Sequence, residues 1–152
     1  FVNIVIKMIA GMVLGLLAVV ATYVAGAVAG IQLTAVQWIV TGLVGWLLAS
    51  AVFTTLGLFV GYLMPSENAA QVTSLIVVFL SFLGGLFYPL NSMPDFMQTI
   101  ARFTPVYGIG ELARSPLTGE GFDALWLVNA LVWLAVFIAG TTWAFRRDTQ
   151  RV

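Results

Sequence analysis

The 152-residue chain contains no cysteine and no histidine. Disulfide frameworks, thiol chemistry and the commonest transition-metal ligands are excluded together. Charge is scarce too: 8% of residues are charged, and six Lys or Arg balance six Asp or Glu, so there is no basic field to hold nucleic acid. No G-x-x-x-x-G-K-[ST] phosphate loop occurs, so the chain cannot hydrolyse ATP by that chemistry on its own. An H-E-x-x-H pair, a G-x-S-x-G elbow and a pair of carboxylates within an apolar run are also missing, which leaves an intramembrane enzyme without a nucleophile, base or metal set.

What is present is apolar. Hydrophobic residues make up 61% of the chain and mean hydropathy is +1.06, against roughly 45–50% apolar in ordinary soluble domains. They form four long runs, over 8–28, 38–64, 72–90 and 125–145, each about the length a helix needs to cross the hydrocarbon core. The expected fold is therefore an all-α integral membrane protein with about four transmembrane helices. Lys7, Arg146, Arg147 and Arg151 flank one side and Arg102 and Arg114 the other, a bias that places both ends in the cytoplasm. Trp38 and Tyr62 suit interfacial anchors. On that topology 65–71, with Ser66 and Glu67, is a tight cytoplasmic turn, 29–37 is an external turn and 91–123 is a long external segment.

The runs hold no Asp, Glu, His or Arg, which argues against a proton relay or voltage sensor and puts the energy source elsewhere. Their polar groups are mild: Thr41, Ser50, Thr54, Thr55, Ser74, Ser81, Asn129, Thr141 and Thr142. Most are expected to bond within or between helices, and Ser81 and Asn129 are the better candidates to line a transport path. Glycine pairs at Gly11/Gly15, Gly26/Gly30 and Gly57/Gly61 permit close helix contact, and Gly84-Gly85 suggests a bend before Pro89.

The segment 91–123 is too apolar for a solvated loop and too broken to span. Prolines at 89, 94, 105 and 116 divide it into pieces of about ten residues, each about half a membrane if helical. Pro94 suits the first turn of one short helix, with Asp95 at its positive end, and Thr104-Pro105 reads as the cap and start of a second. A helical hairpin over about 93–117 follows, either re-entrant from the outer face or lying flat as an interfacial amphipathic pair. Glu111 and Arg114 share a helix face and can neutralise each other at depth, a pair that holds the hairpin in place or, less simply, touches substrate. Arg102 reads as a headgroup or rim residue.

The string Leu83-Gly84-Gly85-Leu86-Phe87-Tyr88-Pro89-Leu90-Asn91-Ser92-Met93-Pro94-Asp95-Phe96-Met97 resembles a hallmark of the membrane-spanning subunits of type-2 ABC exporters, which include daunorubicin-type drug-resistance permeases and polysaccharide and lipid exporters. It continues to match through Ile100-Ala101-Arg102-Phe103-Thr104-Pro105-Val106-Tyr107-Gly108 and Glu111-Leu112-Ala113-Arg114. The resemblance implies a six-helix subunit of which this sequence supplies the third to sixth helices, lacking two N-terminal helices and the coupling helix before the third. It further implies pairing with a second permease subunit, as a homo- or heterodimer in a bacterial plasma membrane, and docking on an ABC ATPase subunit near Ser66 and Glu67. ATP-Mg then belongs to that partner, and this chain has no cofactor or metal of its own. The implied function is export of a hydrophobic or amphipathic drug, lipid or glycan; the alternative is a non-transporting membrane scaffold or assembly subunit.

Overall fold

The computed structural model describes residues 2–64 and 66–149, the side chains at 3, 66, 148 and 149 excepted. Among these residues there are helices and no strands. Helix α1 (Val2–Val28) is followed by α2 (Ala35–Leu43), a π-helical stretch (Val44–Ala49) and α3 (Ser50–Leu63), the last three continuous as one helix. Then come α4 (Ser66–Leu83), a single 3₁₀ turn (Leu90–Ser92), α5 (Asp95–Arg102), α6 (Pro105–Thr118) and α7 (Ala124–Thr149).

Three stretches are long and apolar enough to cross a membrane: Ile4–Val28, Ala35–Leu63 and Ala124–Arg147. The second begins three residues before the apolar run because Thr34 and Gln37 form a capping box. Thr34 Oγ1 accepts the Gln37 amide and Gln37 Oε1 accepts the Thr34 amide at 2.8 Å, so residues 35–37 belong to the helix and the expected 29–37 turn shortens to 29–34.

The third expected run is where the structure departs most. Its helix occupies Ser66–Leu83, shifted toward the N-terminus of the expected 72–90. Residues 66–71 are the opening turns of α4 and not a loop; Glu67 lies in the first turn, where the helix dipole favours an acid, and Pro65 lies outside the described residues. At the other end the Gly84-Gly85 pair does not bend the helix but stops it. Gly85 takes φ +76°, its N–H bonds to the Phe82 carbonyl at 3.3 Å, and the Leu86 N–H bonds to the Ser81 carbonyl at 3.0 Å. This is a Schellman motif, which caps a helix with a left-handed residue that glycine adopts without steric cost. A Cβ at Gly85 would also sit 2.6 Å from Leu90 Cγ.

The core lies where α3 meets α7. Val52, Leu56, Val60, Ile109, Ala130 and Phe137 form one buried cluster, with Val72, Ile76 and Leu80 of α4 packed against it. Thr141 Oγ1 donates to the Thr55 carbonyl across the α3–α7 seam at 3.1 Å, and the Gly140 position leaves room for the Phe59 ring. At one end of the bundle Lys7 lies over the Tyr62 ring (5.2 Å) and Tyr62 meets Phe145 edge-on (5.5 Å), so the start of α1 and the end of α7 share an end.

Helix α1 crosses α3 on Gly11 and Gly15, whose faces are occupied by Thr54 and Ser50, and Trp46 Nε1 of the π-helical stretch donates to the Met12 carbonyl at 2.8 Å. Gly30 closes α1 with φ +78°. By contrast Gly57 and Gly61 have nothing within 4 Å of a built Cβ. Of the three glycine pairs, only the first works as a close-contact surface within this chain. Gly15→Leu should therefore lower the melting temperature of the purified protein, by overpacking worth about 1–3 kcal/mol, whereas Gly57→Ala should leave it within a degree or two. Equal effects in thermal unfolding would contradict this assignment of the α1–α3 crossing.

Candidate functional site

Helices α5 and α6 form the hairpin expected between the third and fourth apolar runs; Pro105 starts its helix as expected, whereas Pro94 stands one residue before its own and not in its first turn. Pro94 is the N-cap of α5, with Asp95 in the first turn and Arg102 in the last, so both charges suit the dipole. Pro105 is the first residue of α6 and is almost fully buried. Thr104 precedes it in extended conformation, but its hydroxyl turns back to the Ala101 carbonyl (2.7 Å) and does not cap α6. Pro116 does not divide the hairpin, since α6 continues to Thr118. A proline there leaves the Leu112 carbonyl without its usual donor, and the Ser115 hydroxyl supplies one at 3.3 Å.

The hairpin is built into the bundle. Val106, Ile109, Leu112 and Ser115 are buried on α6, which packs on α7, α2 and the π-helical stretch. The turn between α5 and α6 is held by α7: Asn129 Nδ2 donates to the Arg102 carbonyl (2.9 Å), Asn129 Oδ1 accepts the Gly108 amide (3.2 Å), and Trp133 Nε1 donates to the Phe103 carbonyl (2.9 Å). Trp133 stands nine residues after Ala124, so the turn lies about 14 Å along α7 from its start. Gly108 is required for that approach, because a Cβ there would collide with the Trp126 carbonyl oxygen and lie 2.7 Å from Asn129 Oδ1. At the far end of α6, Gln37 Nε2 donates to the Pro116 carbonyl (2.7 Å), tying the hairpin to the start of α2.

Glu111 and Arg114 form the ion pair their spacing allows, Nη2 to Oε1 at 2.6 Å, with Glu111 15% and Arg114 33% exposed. Arg114 does more than neutralise: Nη1 donates to the Gly85 carbonyl at 2.8 Å, joining α6 to the end of α4. Beside the pair opens a cavity of about 580 Å³ whose lining includes Asn91, Gln98, Arg102, Tyr107, Glu120 and Trp126.

The remaining sequence candidates fall elsewhere. Ser81 is buried on α4, where its hydroxyl bonds the Val77 carbonyl at 2.7 Å, and Asn129 serves the hairpin turn, so both expected path groups are engaged internally. Thr55, Ser74, Thr141 and Thr142 likewise bond carbonyls on their own helices. Glu67 is exposed at the start of α4; the Ser66 side chain lies outside the described residues. Sequence reasoning missed Gln37, Gly108 and Trp133. The capping-box pattern marks the first, and an indole N–H in mid-span, which needs an acceptor, marks the last.

A multi-pass helical bundle with a hairpin of two short helices wedged against its last span defines an all-α integral membrane protein. The comparisons place it further: residues 1–117 match the model of the ABC-2 type transporter family, and the chain belongs to that family. It is 32% identical over 115 residues to the protein named "Putative transport permease YvfS" of Bacillus subtilis (strain 168), a match that covers 74% of this chain and 46% of that protein. The chain thus spans about half the length of the curated relative it matches. No solved structure matches it.

The anchors are testable separately. Asn129→Ala should accelerate amide hydrogen exchange at 102–108 while exchange in α1 stays unchanged; uniform acceleration or none would contradict the anchor. Arg114→Ala should destabilise the protein more than the Glu111→Gln/Arg114→Gln double variant, by about 1–3 kcal/mol in chemical unfolding, because the single change leaves a mostly buried carboxylate and the Gly85 carbonyl without their donor.

Proposed function

We propose that the chain is part of a permease subunit of an ATP-driven ABC exporter, moving a hydrophobic or amphipathic drug, lipid or glycan outward across the plasma membrane. Family membership supports the permease reading, and the name of the Bacillus relative agrees with it. The chain has no phosphate loop, so ATP-Mg binds and is hydrolysed on a partner ABC ATPase, while this chain performs no catalysis. A second permease subunit completes the path.

The observation that carries the reading is the fixed attachment of the hairpin to two spans at once, α7 through Asn129 and Trp133 and α4 through Arg114. A rearrangement of α4 against α7, driven from below, must move or break these links. In this reading α4, with the irregular residues after Gly85, is a fourth crossing. The hairpin is re-entrant at the outer face: an interfacial pair lying flat has no reason to seat its turn about 14 Å along a span. Both ends of the chain are cytoplasmic, with Lys7, Arg146 and Arg147 at the shared end, and Glu67 faces the ATPase side.

Two experiments test this. A cysteine at Asn91 should react with a membrane-impermeant maleimide on intact cells and one at Glu67 only after permeabilisation; the reverse pattern overturns the orientation. The full-length protein should co-purify with an ATPase whose Walker-lysine variant abolishes efflux. Unaltered efflux in cells lacking the permease would favour a scaffold.

A further inference from the structure

The cavity beside Glu111 and Arg114 contains polar groups that the fold does not use. The ion pair satisfies itself and the Gly85 carbonyl, and Gln98 Nε2 bonds the Met93 carbonyl at 2.8 Å. Among the described residues, however, the Arg102 guanidinium, the Glu120 carboxylate, the Tyr107 hydroxyl, the Trp126 indole N–H and the Asn91 amide have no partner, although all five line the same cavity. Arg102 engages α7 only through its backbone carbonyl, so its charge is free to face the opening.

The arrangement has a definite chemical sense. With Glu111 and Arg114 paired, the cavity retains one cation and one anion, and three neutral groups able to donate hydrogen bonds. A guanidinium that shares one cavity with hydroxyl, indole and amide donors suits a phosphate, to which arginine presents parallel N–H groups. A separate carboxylate suits an ammonium. The lining adds an apolar element: Leu86 and Phe87 are 50% and 62% exposed.

We propose that this cavity is a binding site for a phosphate–ammonium zwitterion, with Arg102, Tyr107 and Trp126 on the phosphate and Glu120 on the ammonium. The same headgroup chemistry occurs in a phosphatidylethanolamine lipid, whose chains would lie over Leu86 and Phe87, and in a soluble phosphoethanolamine. The site exists within one chain and does not depend on export, so its test needs neither ATP nor transport.

The full-length protein is released from detergent for native mass spectrometry after incubation with phosphatidylethanolamine, phosphatidic acid or phosphatidylglycerol. Phosphatidylethanolamine should be retained in preference to phosphatidylglycerol. Arg102→Gln should weaken binding of phosphatidylethanolamine and phosphatidic acid alike by about tenfold, the loss of one good charge-assisted contact. Glu120→Gln should weaken only phosphatidylethanolamine, since phosphatidic acid has no ammonium. Glu67→Gln, at the opposite end of the bundle, should change neither. Unchanged melting temperatures establish that the variants are folded, and a variant that does not fold is replaced by Arg102→Lys, which should retain part of the affinity. Displacement of the lipid by millimolar O-phosphoethanolamine assigns the soluble ligand, and its failure to compete assigns the lipid. Equal retention of all three lipids, unaffected by Arg102→Gln and Glu120→Gln, overturns the proposal.

Discussion

A backbone carbonyl without a donor is what a chain in lipid can least accommodate, because no water is there to replace the missing bond. In this protein the irregular turns are met from a distance. The carbonyls of Gly85, Arg102, Phe103 and Pro116 accept from Arg114, Asn129, Trp133 and Gln37 respectively, and all four donors come from other parts of the chain. These bonds do what continuous helix does elsewhere. They also fix where the hairpin can sit, since each donor is on an element whose own position is set by the packing of α3 on α7.

The consequence is that the least regular part of the molecule is among its best fastened. Segments 84–94 and 102–104 contain helix ends and prolines, features that in a loop would mark mobility. Here the turn at 102–104 is pinned to α7 by two side chains, and a glycine at 108 lets the backbones meet. On the export reading, these are the connections through which motion of one span reaches another. Some polar groups of the cavity lie outside this framework: the side chains of Arg102, Glu120, Tyr107 and Trp126 make no hydrogen bond within the fold. They are the groups that the proposed headgroup site assigns to a ligand.

The chain determined its class by itself. Residues that cannot be hidden from water in a fold of this size, gathered in runs of helix-spanning length, require lipid as solvent, and Pro94 and Pro105 mark the starts of the two short helices because a fixed φ and a missing N–H suit those positions. The Glu111–Arg114 pair was legible from its spacing alone, since residues three apart share a helix face. The end of α4 was half legible: a glycine pair before a proline signals a break, but a bend and a Schellman stop share that signature, and only the left-handed Gly85 distinguishes them.

What only the tertiary structure decided was partnership. Asn129 in a span reads equally well as a path-lining group or an anchor, and which it is depends on Arg102 and Gly108 lying beside it. Gly11/Gly15 and Gly57/Gly61 have the same sequence form, yet only the first meets another helix. Nothing local separates such cases, because hydrogen bonds and close contacts between helices far apart in the chain depend on how those helices are rotated and how deeply they sit. Those quantities are set by the α3–α7 core, and not by the residues whose roles they determine.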